Sequence, residues 1–355
     1  MDISCPDFRR GFFLVYTINF GGKMIEYVDI VADLSWGDTG KGKITSALVK
    51  EGEYDFVCRW AGGNNAGHTV FVNGKKYKTH LIPSGVFHGV TSVIGPGCVV
   101  HENSLIGELK YLEENGFDIS KIRVSPRAHI VSRQHIDEDA EKLAKKLGTT
   151  SKGIAPCYAD KMARKGTLAK DVLPYWMMWD EKLYGKILCE GAQGFYLDVD
   201  QGNYPYVTSS TTLPYGACSL GFPPQKIRRI YGTCKAYDTR SGVDPMFPEE
   251  LLNDPELLTI ADKGQEYGVT TGRRRKVNWL NLDLLVKATN ISGATDIIVN
   301  KVDILMDTGT YKLFHEGVLK SFEDLNSFRE YITHFLKIAD NQVDKIIFSK
   351  HPEII

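Results

Sequence analysis

The chain has 355 residues, of which 43% are hydrophobic and 25% are charged, and its formal net charge is −1 at pH 7. This composition is typical of a globular protein with a large core, and the near-zero charge argues against broad electrostatic binding to nucleic acid or to an anionic membrane. The seven cysteines are scattered without C-x-x-C spacing. The sequence therefore predicts neither a zinc site nor a disulfide framework, and a reducing cytoplasm fits best.

The first 23 residues are predicted to lie outside the fold. An apolar run at 11–20 follows two arginines and has the outline of a short signal sequence. The run contains Asn19, lacks a small-residue cleavage site and is too short to span a bilayer. We therefore expect a frayed, nonfunctional extension at 1–23, an internal start at Met24, and a single domain over 24–355.

Apolar runs and helical periodicity alternate along the rest of the chain. Strands are predicted at 27–34, 54–60, 92–94, 186–189, 227–232 and 296–299, and helices at 43–48, 136–147 and 279–290. Strands that alternate with helices predict an α/β fold with a mostly parallel, doubly wound central sheet and helices on both faces. Ligand-binding loops in such folds lie at the carboxyl ends of the strands.

The loop after the first predicted strand reads W-G-D-T-G-K-G-K over 36–43 and predicts a phosphate site. From Gly37 it has the G-x-x-x-x-G-K spacing of a P-loop, in which backbone N–H groups and a lysine contact phosphate oxygens. Ile44 occupies the position where a P-loop carries a Ser or Thr ligand of Mg²⁺. Asp38 is therefore the candidate metal ligand, because a carboxylate oxygen suits this hard cation.

A loop rich in glycine and asparagine, at 62–69, follows the second predicted strand and contains His68. This composition favours close approach of the backbone to a ligand, so His68 is a candidate for acid–base chemistry. His80, His88 and His101 have no such surroundings and are expected to be structural.

Two later loops carry side chains that suit a nucleotide or an anion. E-G-A-Q-G at 190–194 presents the amide of Gln193, which can both donate to and accept from a base edge, and the hydroxyls at 208–212 suit phosphate or sugar oxygens. A turn and a Thr-rich strand are the structural alternative. T-T-G-R-R-R at 270–275 adds three guanidinium groups that fit carboxylates and phosphates, although a solvated basic turn has the same composition.

N-K-V-D at 300–303 follows an apolar run and matches the N-K-x-D arrangement of guanine-specific sites. A carboxylate accepts hydrogen bonds from N1–H and the 2-amino group of guanine, whereas adenine has no donor at N1. Two classes of function are open: an enzyme that uses a guanine nucleotide, or a guanine-nucleotide switch. The switch lacks a D-x-x-G segment at an appropriate place and has Ile44 at its metal-binding position.

In chain order, these loops resemble the adenylosuccinate synthetase family, whose members join L-aspartate to C6 of a 6-oxopurine nucleotide at the expense of a nucleoside triphosphate. The resemblance also takes in S-P-R-A-H at 125–129, G-T-T at 148–150 and D-K-M-A-R at 160–164, and so covers about three quarters of the chain. It implies a catalytic domain, Mg²⁺, GTP as the phosphoryl donor, small-molecule substrates, and a homodimer in the cytoplasm.

Residue by residue, the resemblance implies roles for the motifs above. Asp38 is implied to remove the purine N1 proton and to bind Mg²⁺, for which the Gly67 carbonyl is a second implied ligand. His68 is implied to act as the acid that assists phosphoryl transfer to O6. Lys41 is implied to stabilise the charge of the transferring phosphoryl group. The residues implied to bind the acceptor nucleotide are Asn65, Thr150, Gln193, Thr208, Arg273 and, from a neighbouring subunit, Arg164. Those implied to bind aspartate are Thr271, Arg273 and Arg275. Those implied to bind the donor are Gly40, Lys41, Gly42, Lys43, Thr69, Asn300, Lys301 and Asp303.

Three departures from the family pattern leave the substrates open. Thr39 replaces the usual Glu, Lys152 replaces the usual Arg, and S-K-H-P at 349–352 stands where Ser-x-Gly-Pro packs against the donor base. ATP or dATP therefore stays open beside GTP. The short chain and its G-D-T-G-K-G loop also resemble viral enzymes that use dGMP rather than IMP on the route to diaminopurine DNA, which would place the protein in a host cytoplasm. Those relatives commonly carry Ser where this chain has Asp38, and both acceptors offer N1–H and C6=O.

Overall fold

A computed structural model describes residues 24–268, 274–339 and 342–351. Three sequence predictions lie outside the described residues: the extension at 1–23, the aspartate-binding pair Thr271 and Arg273, and the last residue of S-K-H-P. Within the described ranges, no helix is both long and apolar enough to cross a membrane.

Strands and helices alternate along most of the chain, as the sequence predicts. The strands are β1 (Ile25–Asp33), β2 (Phe56–Arg59), β3 (His68–Val72), β4 (Lys75–Thr79), β5 (Thr91–Ile94), β6 (Val99–Val100), β7 (Ile122–Val124), β8 (His129–Ile130), β9 (Gly185–Glu190), β10 (Ile227–Lys235), β11 (Tyr237–Arg240), β12 (Lys276–Asn281), β13 (Asp296–Asn300), β14 (Lys312–His315), β15 (Val318–Ser321) and β16 (Lys345–Phe348). The helices are α1 (Lys41–Glu51), α2 (Glu102–Glu114), α3 (Arg133–Glu138), α4 (Ala144–Leu147), α5 (Ile154–Met162), α6 (Pro255–Lys263), α7 (Leu282–Ser292), α8 (Val302–Thr308) and α9 (Leu325–Ala339).

The central sheet has eight strands in the order β16-β13-β10-β1-β9-β2-β5-β7, and every neighbouring pair is parallel. Both faces are covered. On one face, Ile44 of α1 packs with Val31 and Leu188, and on the other, Ile297 packs with Leu285 of α7. The predicted parallel α/β fold is therefore confirmed, and the continuous apolar strands follow from burial on both faces.

Two helix predictions differ from the structure at their boundaries. The helix predicted at 136–147 begins earlier, with α3, and continues through a π-helical segment, Asp139–Leu143, into α4. The prediction at 279–290 is wrong at its start, because Trp279 belongs to β12 and pairs with Tyr237 of β11. α7 begins only at Leu282, where the side chain of Asn281 accepts a hydrogen bond from the backbone at the N-terminus of the helix.

Polar residues end the strands that meet around β1. The last residues of β1, β2, β9, β10 and β13 are Asp33, Arg59, Glu190, Lys235 and Asn300, and all five are buried. Because parallel strands share an edge, these side chains are brought together at the carboxyl end of the sheet, where ligands bind in doubly wound folds.

Candidate active site

The glycine-rich loop is folded around the buried carboxylate of Asp33, at the end of β1. One carboxylate oxygen accepts the backbone N–H groups of Ser35 and Gly37, and the other accepts that of Thr39, at 2.9, 3.2 and 3.3 Å. The Lys41 ammonium lies 2.9 Å from the second oxygen and also donates to the Gln193 carbonyl at 2.6 Å. Asp33 therefore holds both the loop and Lys41 in place. The sequence does not indicate this role, because an aspartate at the end of an apolar run also commonly marks the end of a strand.

The N-terminus of α1 is tied to the N-K-V-D segment. Gly40, in the left-handed region at φ 96°, precedes the first helical residue. Its neighbour Thr39 accepts a hydrogen bond of 2.7 Å from the Asn300 amide, whose oxygen accepts from the Lys43 ammonium at 2.9 Å. Lys43 also donates to the Ser349 hydroxyl at 2.6 Å, and burial lowers its pKa to about 8. Hydrogen bonds thus join the W-G-D-T-G-K-G-K loop and the start of α1 to the N-K-V-D segment.

Asp38 projects from the loop and carries a partly exposed carboxylate. Its backbone has a left-handed φ of 57° and its side chain is 37% exposed. One oxygen lies 2.5 Å from the Arg275 guanidinium and 3.5 Å from the Lys235 ammonium. Two cations therefore hold Asp38 at the mouth of the site.

A second carboxylate, Glu266, contacts the same two cations from the buried side. Its oxygens lie 2.8 and 3.0 Å from the Lys235 ammonium and 2.7 Å from the Arg275 guanidinium, and the Tyr237 hydroxyl donates to it at 2.8 Å. Burial raises the pKa of Glu266, but the charges of Lys235 and Arg275 outweigh this effect and hold the pKa at about 2. Neither Lys235 nor Glu266 was selected from the sequence, because each stands alone outside a recognised motif.

His68 is paired with Glu190, the first residue of E-G-A-Q-G. The Nδ1 atom of His68 contacts one carboxylate oxygen of Glu190, Oε1, which also accepts from the Ser84 hydroxyl at 2.8 Å. The other oxygen, Oε2, accepts from the Ser84 backbone N–H at 2.7 Å. Burial lowers the pKa of His68, and the charge of Glu190 opposes this shift. For Glu190, burial acts to raise the pKa, but the charge of His68 outweighs it and the net shift is downward. The pair leaves Nε2 as the ring nitrogen that can serve a ligand.

A cavity of about 240 Å³, here called the Gln193 cavity, contains four of the predicted acceptor-binding residues. Those four are Asn65, Thr150, Gln193 and Thr208. Gln193 has a left-handed φ of 56°, and neither polar atom of its buried amide has a hydrogen-bond partner among the described residues. An unpaired buried amide costs free energy unless a ligand satisfies it, so Gln193 is suited to a polar base edge. The segment at 208–212 is not a strand, contrary to the structural alternative.

The Gln193 cavity also includes Arg240, which sequence reasoning missed. One of its terminal nitrogens donates to the Tyr206 carbonyl at 3.1 Å, while its Nε atom is buried without a hydrogen-bond partner among the described residues. A T-R pair at the end of a strand is too common a pattern to be selected from one sequence.

A second cavity of about 330 Å³, here called the Lys43 cavity, contains all the predicted donor-binding residues. These are Gly40, Lys41, Gly42, Lys43, Thr69, Asn300, Lys301 and Asp303. The Lys301 ammonium donates to the Gly264 carbonyl at 3.0 Å. Ser349 and His351, from the atypical S-K-H-P element, also line this cavity.

The two cavities share a wall. Asp38, Lys41, Gly67, His68 and Arg275 line both of them. The residues predicted to perform acid–base and phosphate chemistry therefore border both cavities.

Arg164 is separate from this group of residues. It is exposed, follows α5 with a left-handed φ of 61°, and lines neither the Gln193 cavity nor the Lys43 cavity. The structure of one chain thus does not bring Arg164 together with the other predicted acceptor-binding residues.

The oxygen donors at the shared wall fit a magnesium ion that arrives with a nucleotide. Asp38 offers one carboxylate and Gly67 one carbonyl, and Mg²⁺ commonly takes one or two carboxylates while phosphate oxygens and waters complete its shell. Among the described residues, no group of three or more His, Cys, Asp or Glu side chains is arranged to hold a metal by itself.

Comparison with known proteins identifies the family. The family model for adenylosuccinate synthetase matches residues 30–186 and 175–316. The adenylosuccinate synthetase of Geobacillus sp. (strain WCH70) is 39% identical over 342 residues, covering 80% of this chain and 79% of the relative. That of Lactococcus lactis subsp. cremoris (strain MG1363) is 38% identical over 365 residues, covering 86% and 82%.

Two solved structures have the same fold. The fully ligated adenylosuccinate synthetase of Plasmodium falciparum superposes with a TM-score of 0.78 at 28% identity, covering 92% of this chain and 98% of that one. The succinoaminodeoxyadenylate synthetase of cyanophage S-2L, bound to dGMP and to dATP as an energy donor, superposes with a TM-score of 0.71 at 22% identity, covering 93% and 94%. The chain belongs to the adenylosuccinate synthetase family, ligases that form a C–N bond between aspartate and an IMP-like nucleotide as a nucleoside triphosphate is hydrolysed.

Proposed function

We propose that this chain joins L-aspartate to C6 of a 6-oxopurine nucleotide in two steps at the shared wall. The donor first transfers its γ-phosphoryl group to O6 as Asp38 removes the N1 proton. The aspartate amine then attacks C6 and phosphate leaves, because phosphate is a far better leaving group than hydroxide-like O6. The observation that carries the proposal is that Asp38, Lys41 and His68 line both cavities, so O6 and the γ-phosphoryl group can meet among them.

The Gln193 cavity is proposed to hold the acceptor. Asn65, Thr150 and Thr208 supply amide and hydroxyl groups for base, sugar or phosphate oxygens, and the unpaired amide of Gln193 supplies both a donor and an acceptor. Arg273, outside the described residues, is proposed to complete this set.

His68 and Lys41 are proposed to stabilise the charge that moves between the cavities. His68, oriented by Glu190, offers Nε2 to the oxygen that receives the phosphoryl group, and it acts as an acid in its protonated form. Lys41 is already placed by Asp33 and needs no rearrangement to meet the phosphoryl oxygens.

The Lys43 cavity is proposed to hold the donor and its magnesium ion. The N-terminus of α1 and Lys43 suit phosphates, and Asp303 with Lys301 suits the edge and face of guanine. GTP is therefore the proposed donor, with ATP and dATP as the alternatives. Mg²⁺, held by Asp38 and the Gly67 carbonyl, would neutralise phosphate charge when bound.

Arg275 is proposed to bind a carboxylate of the substrate aspartate together with Thr271 and Arg273. Its guanidinium now contacts Asp38 at 2.5 Å and Glu266 at 2.7 Å. Both contacts are made by one terminal nitrogen, so a substrate carboxylate can bind the other N–H donors of the guanidinium or replace Asp38, which is the more exposed partner.

IMP is the proposed acceptor because the relatives at 38% and 39% identity are adenylosuccinate synthetases and the chain carries Asp38. dGMP is the second candidate, since it offers the same N1–H and C6=O and the Thr39 form of the loop resembles the viral enzymes. The test is to incubate the protein with Mg²⁺ and aspartate, with IMP or dGMP as the acceptor and GTP, ATP or dATP as the donor. The adduct is then identified by mass spectrometry.

We expect phosphate release to require the acceptor nucleotide and aspartate together. Phosphate release that persists unchanged without aspartate would contradict the ligase and would favour a nucleotide-hydrolysing switch. An adduct formed only from dGMP would replace IMP as the acceptor while leaving the reaction class in place.

A further inference from the structure

We propose that Glu266 is a positioning residue that holds Lys235 and Arg275 as two fixed cations beneath the transferring phosphoryl group. The inference rests on the proposed function, because that function requires Asp38 to leave these cations for its own substrate. Nothing in the sequence motifs assigns a role to Glu266 or to Lys235.

The four side chains form a closed ring of alternating charge. Asp38 contacts both cations from the more exposed side, at 2.5 and 3.5 Å. Glu266, which also lines the Lys43 cavity, contacts both from the more buried side, at 2.7 and 2.8 Å. Two positive and two negative groups therefore compensate one another at the shared wall. Such a ring can exchange one anion for another without leaving buried charge uncompensated.

The two carboxylates differ in their freedom to move. The side chain of Glu266 is 1% exposed, whereas that of Asp38 is 37% exposed. Glu266 is further held by the Tyr237 hydroxyl at 2.8 Å, and its backbone carbonyl accepts from the Arg275 N–H at 2.9 Å. Glu266 is thus the fixed anion of the ring, and Asp38 is the anion that can be exchanged.

Once Asp38 leaves the ring, Lys235 and Arg275 can bind oxygens of the substrates. When Asp38 turns to the purine and the metal, Lys235 and Arg275 lose one anionic partner, and phosphoryl or carboxylate oxygens of the substrates can take its place. Both cations line the Lys43 cavity, and Arg275 also lines the Gln193 cavity. Because Glu266 keeps them in place, their charge meets the transition state without reorganisation, which is the condition under which electrostatic stabilisation is strongest.

The test compares Glu266→Gln with Asp262→Asn, which removes the carboxylate of a more exposed ion pair with Arg274. Glu266→Gln keeps the size of the side chain but removes the charge that holds the cations, so Lys235 and Arg275 will collapse onto Asp38. We expect kcat to fall about 100-fold, since a displacement of about 1 Å is sufficient for that loss. The KM for the acceptor should change less than about threefold, because Glu266 lies outside the Gln193 cavity. Asp262→Asn leaves the ring of Asp38, Lys235, Glu266 and Arg275 intact and should retain kcat within about threefold.

A second readout isolates the phosphoryl step. Exchange of the β,γ-bridging oxygen of an isotopically labelled donor, measured with acceptor but without aspartate, should slow in Glu266→Gln by the same factor as kcat. If Glu266→Gln does not fold, Lys235→Gln removes one cation of the ring and should lower kcat at least tenfold with the same unchanged KM for the acceptor.

Wild-type kcat in Glu266→Gln, or in Lys235→Gln where that variant is the one that folds, would overturn the inference. So would a loss of thermal stability without a change in kcat, because a purely structural ion pair predicts that result. Failure of the wild-type protein to form any adduct would instead contradict the proposed function, so the two failures are distinguishable.

Discussion

The histidine and the carboxylate that orients it illustrate how single residues set the chemistry. Glu190 is fully buried and accepts from Ser84 as well as contacting His68, so the imidazole has one ring nitrogen fixed in the protein and one left for a ligand. A buried carboxylate also stabilises the imidazolium when the ring becomes protonated. The role proposed for His68 therefore depends on a residue that does not reach the reacting atoms.

We predict that Glu190→Gln lowers kcat about 100-fold while the KM values for acceptor and donor stay within about threefold of wild type. The amide keeps a hydrogen bond to His68 but cannot stabilise its charged form. Steady-state kinetics of adduct formation measures both parameters. Ser84→Ala, which removes one hydroxyl contact and keeps the Glu190 charge, is the matched control and should stay close to wild type; equal kinetics in Glu190→Gln would refute the orienting role.

Single polar residues at strand ends were the hardest part of the site to predict. Asp38, Lys41 and His68 stand in recognisable motifs, whereas Asp33 and Lys235, the last residues of β1 and β10, do not. Their importance arises only when neighbouring parallel strands bring distant chain positions to one edge. A single sequence does not contain the strand order, so it cannot show which isolated charges meet.

At the scale of elements, the junction between the glycine-rich loop and α1 joins backbone conformation to ligand binding. Gly40 has a φ of 96°, which favours glycine, and a Cβ atom at this position would lie 3.1 Å from the Asn300 amide nitrogen. That amide donates to Thr39 at 2.7 Å, so displacing it would loosen the contact between the loop and β13.

We predict that Gly40→Ala weakens donor binding at least tenfold and destabilises the fold by about 1–3 kcal/mol through left-handed strain. Donor titration by calorimetry and thermal unfolding measure the two effects separately. Gly116→Ala is the matched control, because Gly116 also has a positive φ of 82° but a Cβ atom there meets nothing within 4 Å. The prediction fails if both variants bind the donor with wild-type affinity.

β11 carries a carboxylate whose ionisation opposes folding. Burial raises the pKa of Asp238 to about 7, although the Asn281 N–H donates to it. A carboxyl with a raised pKa in the folded state contributes its full stability below the ordinary unfolded-state pKa, and this contribution is lost as the pH rises through the folded-state value.

The free energy of unfolding should therefore contain a component that falls between about pH 4 and pH 7, by at most about 4 kcal/mol. We predict that Asp238→Asn removes this component, so the variant gains stability relative to wild type at pH 8 and not at pH 4. Denaturant unfolding at the two pH values measures the difference. A stability difference between the two proteins that does not change with pH would exclude Asp238 as its source.

The sequence was informative about elements wherever an apolar run was continuous. The predicted bounds of β9 and β13 lie within one residue of the true ones, because an apolar run buried in a sheet leaves a clear signal. The prediction for β10 ends three residues early, at Gly232, because the apolar run is interrupted there. The hairpin of β3 and β4 was not predicted, since β4 reads K-K-Y-K-T and is mostly exposed. The spacing of Trp279 and Leu280 fits a helical or a strand period, and only the pairing of β12 with β11 decides between the two.

At the scale of the whole molecule, the exposed Arg164 supports the proposal of a homodimer. Its side chain lines neither cavity of its own chain, so a role in acceptor binding requires it to come from a neighbouring subunit. In a dimer with two-fold symmetry, each subunit would donate one Arg164 and receive one.

A hybrid experiment tests this arrangement. Asp38→Asn removes the proposed base and Arg164→Leu removes the proposed contribution to the partner, so each variant alone should be inactive. After random reassortment, about half of the dimers are hybrids with one intact site out of two, and we predict recovery of about one quarter of wild-type activity. No recovery on mixing, with hybrids verified by native mass spectrometry, would mean that Arg164 acts within its own chain, and full activity of Arg164→Leu alone would mean that it has no role in the site.

The wall that the two cavities share also bears on inhibitor design. Because Asp38, Lys41 and His68 line both spaces, the two spaces adjoin at these side chains. A single compound with a purine linked through its O6 position to a triphosphate chain could fill both spaces. It would lose translational and rotational entropy once on binding, whereas two separate ligands lose it twice. Such a conjugate should bind far more tightly than either half alone, by the effective-concentration gain that applies to any tethered pair whose linker matches the span.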